Sequence, residues 1–286
     1  MRKAFILGAG LGTRLRPLTD TLPKPLIPLH NHPLVTHALD HCLAAGLDDI
    51  AINTHYLPEA WDAAFPEKRY KNARLTFFHE PELLETGGGI KNIASWIGDE
   101  SILIYNGDIL TNLSLSDLIA SHETSENTAT LAVRDSGPSL HLALQGLQIT
   151  DIHGKISGQK GSHQFTGIYC ISPDILALIP AKEKISIIPA FLDLIRQKKL
   201  GGHFANEATW LDLGTREAYL EAAFSKTPEI HPSARIHPSA QIENSWIGEN
   251  CQVGKQATIK NSILWPNTKI APDAHIENSI IHSLNT

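Results

Sequence analysis

The chain has 286 residues, 42% of them hydrophobic, enough for one large core plus a smaller unit. A formal net charge of −6 argues against a general nucleic-acid binder, and three cysteines far apart (Cys42, Cys170, Cys251) suit a reducing cytoplasm. No stretch approaches the ~20 apolar residues of a membrane span, and the apolar run behind Arg2 and Lys3 is too short for a signal peptide.

In chain order, strands are expected at Lys3–Leu7, Asp49–Thr54, Arg74–Phe78, Ser101–Tyr105 and Thr128–Val133. Helix patterns fall between them at Pro33–Ala45, Pro58–Phe65, Gly88–Trp96 and Leu115–His122, and later at Ile187–Lys198 and Thr215–Phe224. Pro33 at the start of the first helix and Gly46 just past its end fit the usual asymmetry. Residues 140 to 165 read as extra strands or a lid. Strand–helix alternation predicts an α/β, Rossmann-like, mainly parallel sheet with helices on both faces, and ligands beyond the carboxyl ends of its strands.

After Pro228 the period changes. Ile230, Ile236, Ile242, Ile247, Val253, Ile259, Leu264, Ile270, Ile276 and Ile281 recur on a 6-6-5 beat, and the phrases IENSWI, IKNSIL and IENSII return every 17 residues. Three short faces per turn predict a short C-terminal prism-shaped parallel β-helix over 229–283, each aliphatic residue pointing inward, and the pattern resembles the left-handed hexapeptide-repeat β-helix. Its expected role is packing or homo-oligomer assembly. A hexapeptide-repeat acyltransferase is the alternative reading. His231, His237, His275 and His282 lie at repeat positions that read as solvated surface, which argues against it.

Residues 8–29, GAGLGTRLRPLTDTLPKPLIPL, follow the first strand directly. A glycine loop after a strand cradles phosphate with backbone N–H groups. The spacing G-x-G-x-G and the absence of an acid near Asn53-Thr54-His55 exclude a dinucleotide fingerprint, and no Gly-Lys-Ser/Thr closes a Walker loop. Arg14 offers a planar fork for two phosphate oxygens. Lys24 is a point charge stiffened by Pro23 and Pro25. Arg2, Lys3, Arg14, Arg16 and Lys24 face only Asp20 within this acidic chain, which points to a small anionic ligand.

This segment closely resembles the signature of sugar-1-phosphate nucleotidyltransferases. The resemblance continues in LETGGGI (84–90), NGD (106–108), FTGIY (165–169) and WLDLGT (210–215), in the family's order, across most of residues 1–225. It implies transfer of a nucleoside monophosphate from a nucleoside triphosphate to a sugar-1-phosphate, with release of pyrophosphate. Arg14 and Lys24 then take catalytic roles, and Gly8, Ala9, Gly10, Gly12, Thr13, Gly87 and Gly88 bind the nucleotide. Asn106 and Gly167 meet the sugar, while Asp108 and Asp212 hold Mg²⁺. LETGGGI, together with the lack of a Glu-Lys-Pro segment, is similar to N-acetylmuramate-1-phosphate uridylyltransferases. The β-helix is similar to that of mannose-1-phosphate guanylyltransferases. Many relatives carry a Glu-Lys-Pro lysine on the sugar phosphate; the stretch GKISGQKGSHQFTGIY offers Lys155 or Lys160 as a charge there, and neither aligns with that lysine. The pairs His30/His32 and His37/His41 have metal-compatible spacing but no joining acid cluster, and read as solvated.

Overall fold

The computed structural model describes residues 1–282. Residue 283, the expected end of the repeat unit, lies outside the described residues. Ten strands form one large sheet. They are β1 (Lys3–Leu7), β2 (Asp49–Thr54), β3 (Arg69–Tyr70), β4 (Ala73–His79), β5 (Ile102–Asn106), β6 (Ala129–Arg134), β7 (Leu142–Gln145), β8 (Gln148–Ile152), β9 (Gln164–Ile171) and β10 (Leu200–Phe204). Their lateral order is β7-β8-β10-β6-β9-β5-β1-β2-β4-β3. Strands β5, β1, β2 and β4 run parallel, as do β6 and β10, with β9 antiparallel between the two groups. The hairpin β7–β8 and the short β3 occupy the edges.

Among the described residues there are seven α-helices, six between these strands and one after them: α1 (Val35–Ala44), α2 (Pro58–Ala64), α3 (Glu85–Asn92), α4 (Ala94–Ile97), α5 (Leu115–Glu123), α6 (Ile188–Arg196) and, after β10, α7 (Arg216–Ala223). The alternation of side chains along a strand sends alternate residues of β1 to opposite faces. Ala4 and Ile6 pack with Leu39, Cys42, Trp61 and Leu118 from α1, α2 and α5. Phe5 packs with Ile90, Ile97 and Phe191 from α3, α4 and α6. Each fully buried aliphatic or aromatic side chain contributes roughly 1.5–3 kcal/mol, so the sheet is pinned from both sides. Two expectations shift. Pro33 belongs to a two-residue strand paired with Pro28–Leu29, ahead of a helix that begins at Val35. The Gly88–Trp96 helix starts earlier, at Glu85, and breaks after Asn92.

The C-terminal residues form three parallel sheets of three short strands each. Within each sheet successive strands lie one full repeat apart, as in Gln241↔Thr258↔His275 and Trp246↔Ile263↔Ile280. Asn244, Asn261 and Asn278 turn the corners at φ of 43°, 47° and 50°, a left-handed conformation that asparagine tolerates better than most residues. Ile247, Val253, Ile259, Leu264 and Ile270 form the inner core with Ile236, Ile242, Ile276 and Ile281 around it. Ile230 departs from the expected inward pattern. It is 47% exposed, because no earlier turn covers it.

A further apolar cluster joins the two regions, and His30 sits beside it. Of the two histidine pairs, His32 is exposed as the sequence suggested, whereas His30 is buried and His37 and His41 are half-buried. His30 is 8% exposed, its Nε2 lies 2.9 Å from the Ala222 carbonyl, and its ring packs on Trp246 and His37. His41 bonds the Leu113 carbonyl and the Tyr105 hydroxyl. Burial lowers the His30 pKa from 6.5 to about 4. Its neutral form is therefore favoured by the fold, so its contribution is complete above pH 6.5 and is lost as pH falls toward 4. One proton sets a limit of about 1.4 kcal/mol per pH unit. Thermal midpoints measured across that window should fall more steeply for the wild type than for His30→Asn. Parallel slopes would refute the assignment.

Candidate active site

The register of the parallel strands builds one common edge. Leu7 is paired with both Asn53 and Asn106, so β1, β2 and β5 end together. The Gly8 amide, just past β1, donates to Asn53 Oδ1 at 2.7 Å, and the Gly107 amide donates to the Leu7 carbonyl at 3.0 Å. Asp108 follows immediately. The short strand Ile109–Thr111 then pairs with Trp210–Asp212, placing Asp212 opposite Ile109, and the Leu213 amide donates to the Asp108 carbonyl at 3.0 Å. Two acids about a hundred residues apart are thereby held side by side.

Lys24 reaches the same point from the signature segment. It is 7% exposed, and its Nζ lies 2.6 Å from Asp108 Oδ2. The loop closes on the lysine because Gly12 has φ +61°, and an added Cβ there would lie 2.9 Å from Thr19 Cγ2 and 3.1 Å from Lys24 Cβ. Thr19 Oγ1 donates to the Gly12 carbonyl at 2.9 Å, fixing that closure. Asp212 is half-buried, and its Oδ1 is shielded from solvent without a hydrogen-bond donor. Burial, then the charge of Asp108, raises its pKa, while Lys24 and Arg14 pull it down. Arg14 is exposed and stands on the Asp212 side. A Cβ on Gly214 would be 2.8 Å from Arg14 Nη2 and 3.0 Å from Asp212 Oδ1.

A cleft of about 390 Å³ opens beside this cluster. Of the residues expected from the sequence, Gly8, Ala9, Gly10, Lys24, Asn106 and Asp108 line it. Gly12, Thr13, Arg14 and Asp212 lie outside its lining. Gly87 and Gly88 are buried within α3, against the backbone of Glu183, Ile185 and Ser186, with the Gly88 amide donating to the Ile185 carbonyl at 3.0 Å. Close backbone packing is thus one physical reason for glycine there, and it is the neighbouring Glu85 and Thr86 that face the cleft. Gly167, at φ +84°, packs against the Asn106 side chain. Lys155 and Lys160 are exposed in the turn after β8, which Asp151 holds by accepting from the amides of Ile156 and Ser157; neither lysine lines the cleft.

Sequence reasoning missed Asn53 and Glu80. Asn53 joins Gly8 to Glu80, donating to Glu80 Oε1 at 2.8 Å, and Glu80 Oε2 accepts from the Leu84 amide at 2.9 Å. Glu80 is fully buried. This chain of bonds ties the glycine loop to the start of α3. A polar residue closing each apolar strand was the available signal.

Chemically, two carboxylates, a buried ammonium and a guanidinium beside free backbone amides suit a polyanion accompanied by a hard cation. A family model described as nucleotidyl transferase matches residues 3–228. The chain belongs to that family. A second model, described as the GMPPB C-terminal domain, matches residues 225–286. Among curated relatives, the Mycobacterium tuberculosis mannose-1-phosphate guanylyltransferase is 29% identical, over 80% of this chain and 66% of that protein. The Hypocrea jecorina mannose-1-phosphate guanyltransferase is 27% identical over 87% and 74%, and the Aspergillus fumigatus one 31% over 76% and 62%. The chain therefore spans about two thirds of the length of these relatives. Among solved structures, a putative glucose-1-phosphate thymidylyltransferase from Bacillus anthracis superposes with a TM-score of 0.68 at 18% identity, covering 77% of this chain and 93% of that one. The UDP-glucose pyrophosphorylase of Acinetobacter baumanii gives 0.67 at 18%, covering 79% and 93%. At that identity the likeness establishes the fold.

Asn53→Ala should destabilise the protein by about 1–3 kcal/mol, because the Gly8 amide and Glu80 lose a buried partner. Asn53→Asp should cost more, since it sets a carboxylate against Glu80. Urea unfolding of both variants tests the order, and a harmless Asn53→Asp would sink it.

Proposed function

We propose that the protein transfers a nucleoside monophosphate from a nucleoside triphosphate to a sugar-1-phosphate, releasing pyrophosphate and forming a nucleoside diphosphate sugar. The observation that carries this reading is the meeting of Lys24, Asp108 and Asp212 beside the glycine loop, at the common edge of β1, β2 and β5. Printed names of the curated relatives support it. In the reaction, an oxygen of the sugar-1-phosphate attacks the α-phosphorus, and the opposite P–O bond breaks with its electron pair leaving on pyrophosphate. The chain's task is to align two anions and offset their charge. Backbone amides of Ala9, Gly10, Gly12 and Thr13 hold the nucleotide, Gly8 lines its cleft with its own amide bonded to Asn53, Arg14 takes phosphate oxygens and Lys24 the reacting phosphate. The segment around Gly87 and Gly88 serves the base, and Asn106 and Gly167 serve the sugar.

Asp108 and Asp212 fit Mg²⁺. Both offer oxygen donors, and Asp212 Oδ1 has no protein partner. Among the described residues no cluster of three or more His, Cys, Asp or Glu groups is placed to hold a metal, so the remaining ligands would be phosphate oxygens and water. When bound, the cation would neutralise phosphate charge.

Two substrate pairs have separate support. The relatives' names favour a guanosine triphosphate and mannose-1-phosphate pair. The LETGGGI block and the missing Glu-Lys-Pro segment favour a uridine triphosphate with an N-acetylated sugar phosphate. Residues 1–225 make up the catalytic unit in this reading, and 229–283 a left-handed β-helix, supported by its repeat-spaced parallel pairings. The β-helix would serve assembly of the chain in the cytoplasm. Among the described residues no helix is long and apolar enough to cross a membrane.

A pyrophosphate-release assay over a grid of nucleoside triphosphates and sugar-1-phosphates tests the activity. Lys24→Ala and Asp108→Asn should each lower turnover on the order of 10²–10³-fold with the fold retained. Nucleotide binding without release for any pair would instead mark a regulatory homologue. Mg²⁺ should also raise the thermal midpoint of the wild type and leave that of Asp212→Asn unchanged. Equal shifts would remove Asp212 from the cation site.

A further inference from the structure

One outer face of the C-terminal repeats is unlike the others. Trp246, Ile263 and Ile280 stand in register on successive turns, one residue before the inward-pointing Ile247, Leu264 and Ile281. They are 4%, 4% and 8% exposed. The corresponding outer positions of another face are Arg235, Gln252 and Lys269, all exposed. The apolar face is buried in a cluster with Leu15, Leu18 and Ile27 of the signature segment, Leu213 beside Asp212, and Tyr219, Ala222 and Ala223 of α7.

Hydrogen bonds cross the same contact. Trp246 Nε1 donates to the Ala223 carbonyl at 2.8 Å. Trp265 Nε1 donates to the Tyr219 hydroxyl at 3.1 Å, and that hydroxyl donates to the carbonyl of Pro28. Pro28 directly follows Ile27, whose amide donates to the Lys24 carbonyl at 3.2 Å. Tyr219 is fully buried, so its hydroxyl has these protein partners in place of bulk water. A relay therefore runs from the repeats, through α7, to the turn that carries Lys24.

We propose that Tyr219 is a positioning residue, through which the repeat unit sets the turn carrying Lys24 against Asp108. The repeats then act within the chain as part of the active-site scaffold, whatever they do between chains. This rests on the activity proposed above only for its kinetic readout. Removing the hydroxyl leaves the Pro28 carbonyl and Trp265 Nε1 without their partner while keeping the ring that fills the cluster. Misplacement of a catalytic group by a fraction of an ångström lowers turnover without necessarily weakening ground-state binding.

Tyr219→Phe is expected to lower kcat on the order of tenfold while KM for the nucleotide changes little. Trp265→Phe, which breaks the same relay from the other side, should act in the same direction, and the double variant should fall short of the product of the single effects. Ile259→Val, inside the repeats and away from the contact, should lower thermal stability and leave kcat per folded molecule unchanged. Hydrogen exchange gives a readout independent of substrate: the amides of Leu26 and Ile27 should exchange faster in Tyr219→Phe than in the wild type. A wild type without pyrophosphate release would overturn the activity and leave the exchange test standing. Unaltered exchange at Leu26 and Ile27, or a kcat loss in Ile259→Val equal to that in Tyr219→Phe, would overturn the positioning role.

Discussion

Two carboxylates cannot both stay ionised at close quarters, partly out of water, unless positive charge is brought to them. Asp108 and Asp212 are in that situation, and the site is arranged around it. Lys24 meets Asp108 at 2.6 Å and is almost wholly buried to do so. Asp212 keeps one oxygen without a donor and its pKa is raised by burial and by Asp108. The chain thus supplies one close ammonium for two acids, with Arg14 standing off in solvent. The residual negative charge is what makes a hard cation, and with it a phosphate, a suitable guest.

Holding those groups together falls to the sheet. Residues 24, 108 and 212 come from three distant segments: Asp108 follows the coincident ends of β1, β2 and β5, and the signature segment behind β1 brings Lys24 onto it. The pairing of Trp210–Asp212 with Ile109–Thr111 adds the third. The continuous apolar run Ala4-Phe5-Ile6-Leu7 was enough to read β1 as a strand. Glycines directly behind it were enough to read an anion loop. The ion pair between Lys24 and Asp108 was not legible, because local periodicity contains no information on which strand ends become neighbours.

Polar residues at strand ends show the same limit. Asn53 was visible in the sequence as the close of β2, and served there only to exclude an acidic ribose contact. Its bonds to Gly8 and Glu80 depend on strand order, which the sequence pattern did not supply. The glycines of LETGGGI were likewise expected, from the resemblance, to bind the nucleotide. Their immediate neighbours are the backbone of Glu183 to Ser186, so local packing alone already demands small residues at Gly87 and Gly88. The histidines near residue 30 read as solvated from their spacing, yet His30 is covered by Trp246, which lies 216 residues later.

The C-terminal repeats carry two messages at adjacent positions. The 6-6-5 aliphatic beat reports the inner core, and it was read from the sequence except for Ile230 at the uncovered end. One residue earlier, Trp246, Ile263 and Ile280 form a second apolar column that lies outside the repeats' own inner core. A column of that kind on an outer face must be covered, since its exposure would add a contiguous apolar patch. Here α7 and the signature segment cover it. Self-association through the lateral faces of the repeats would accordingly have to use polar ones, because the apolar outer face is already occupied within the chain. The same occupancy ties the short repeat region to the rest of the chain: its apolar outer column shares one buried cluster with α7 and the signature segment.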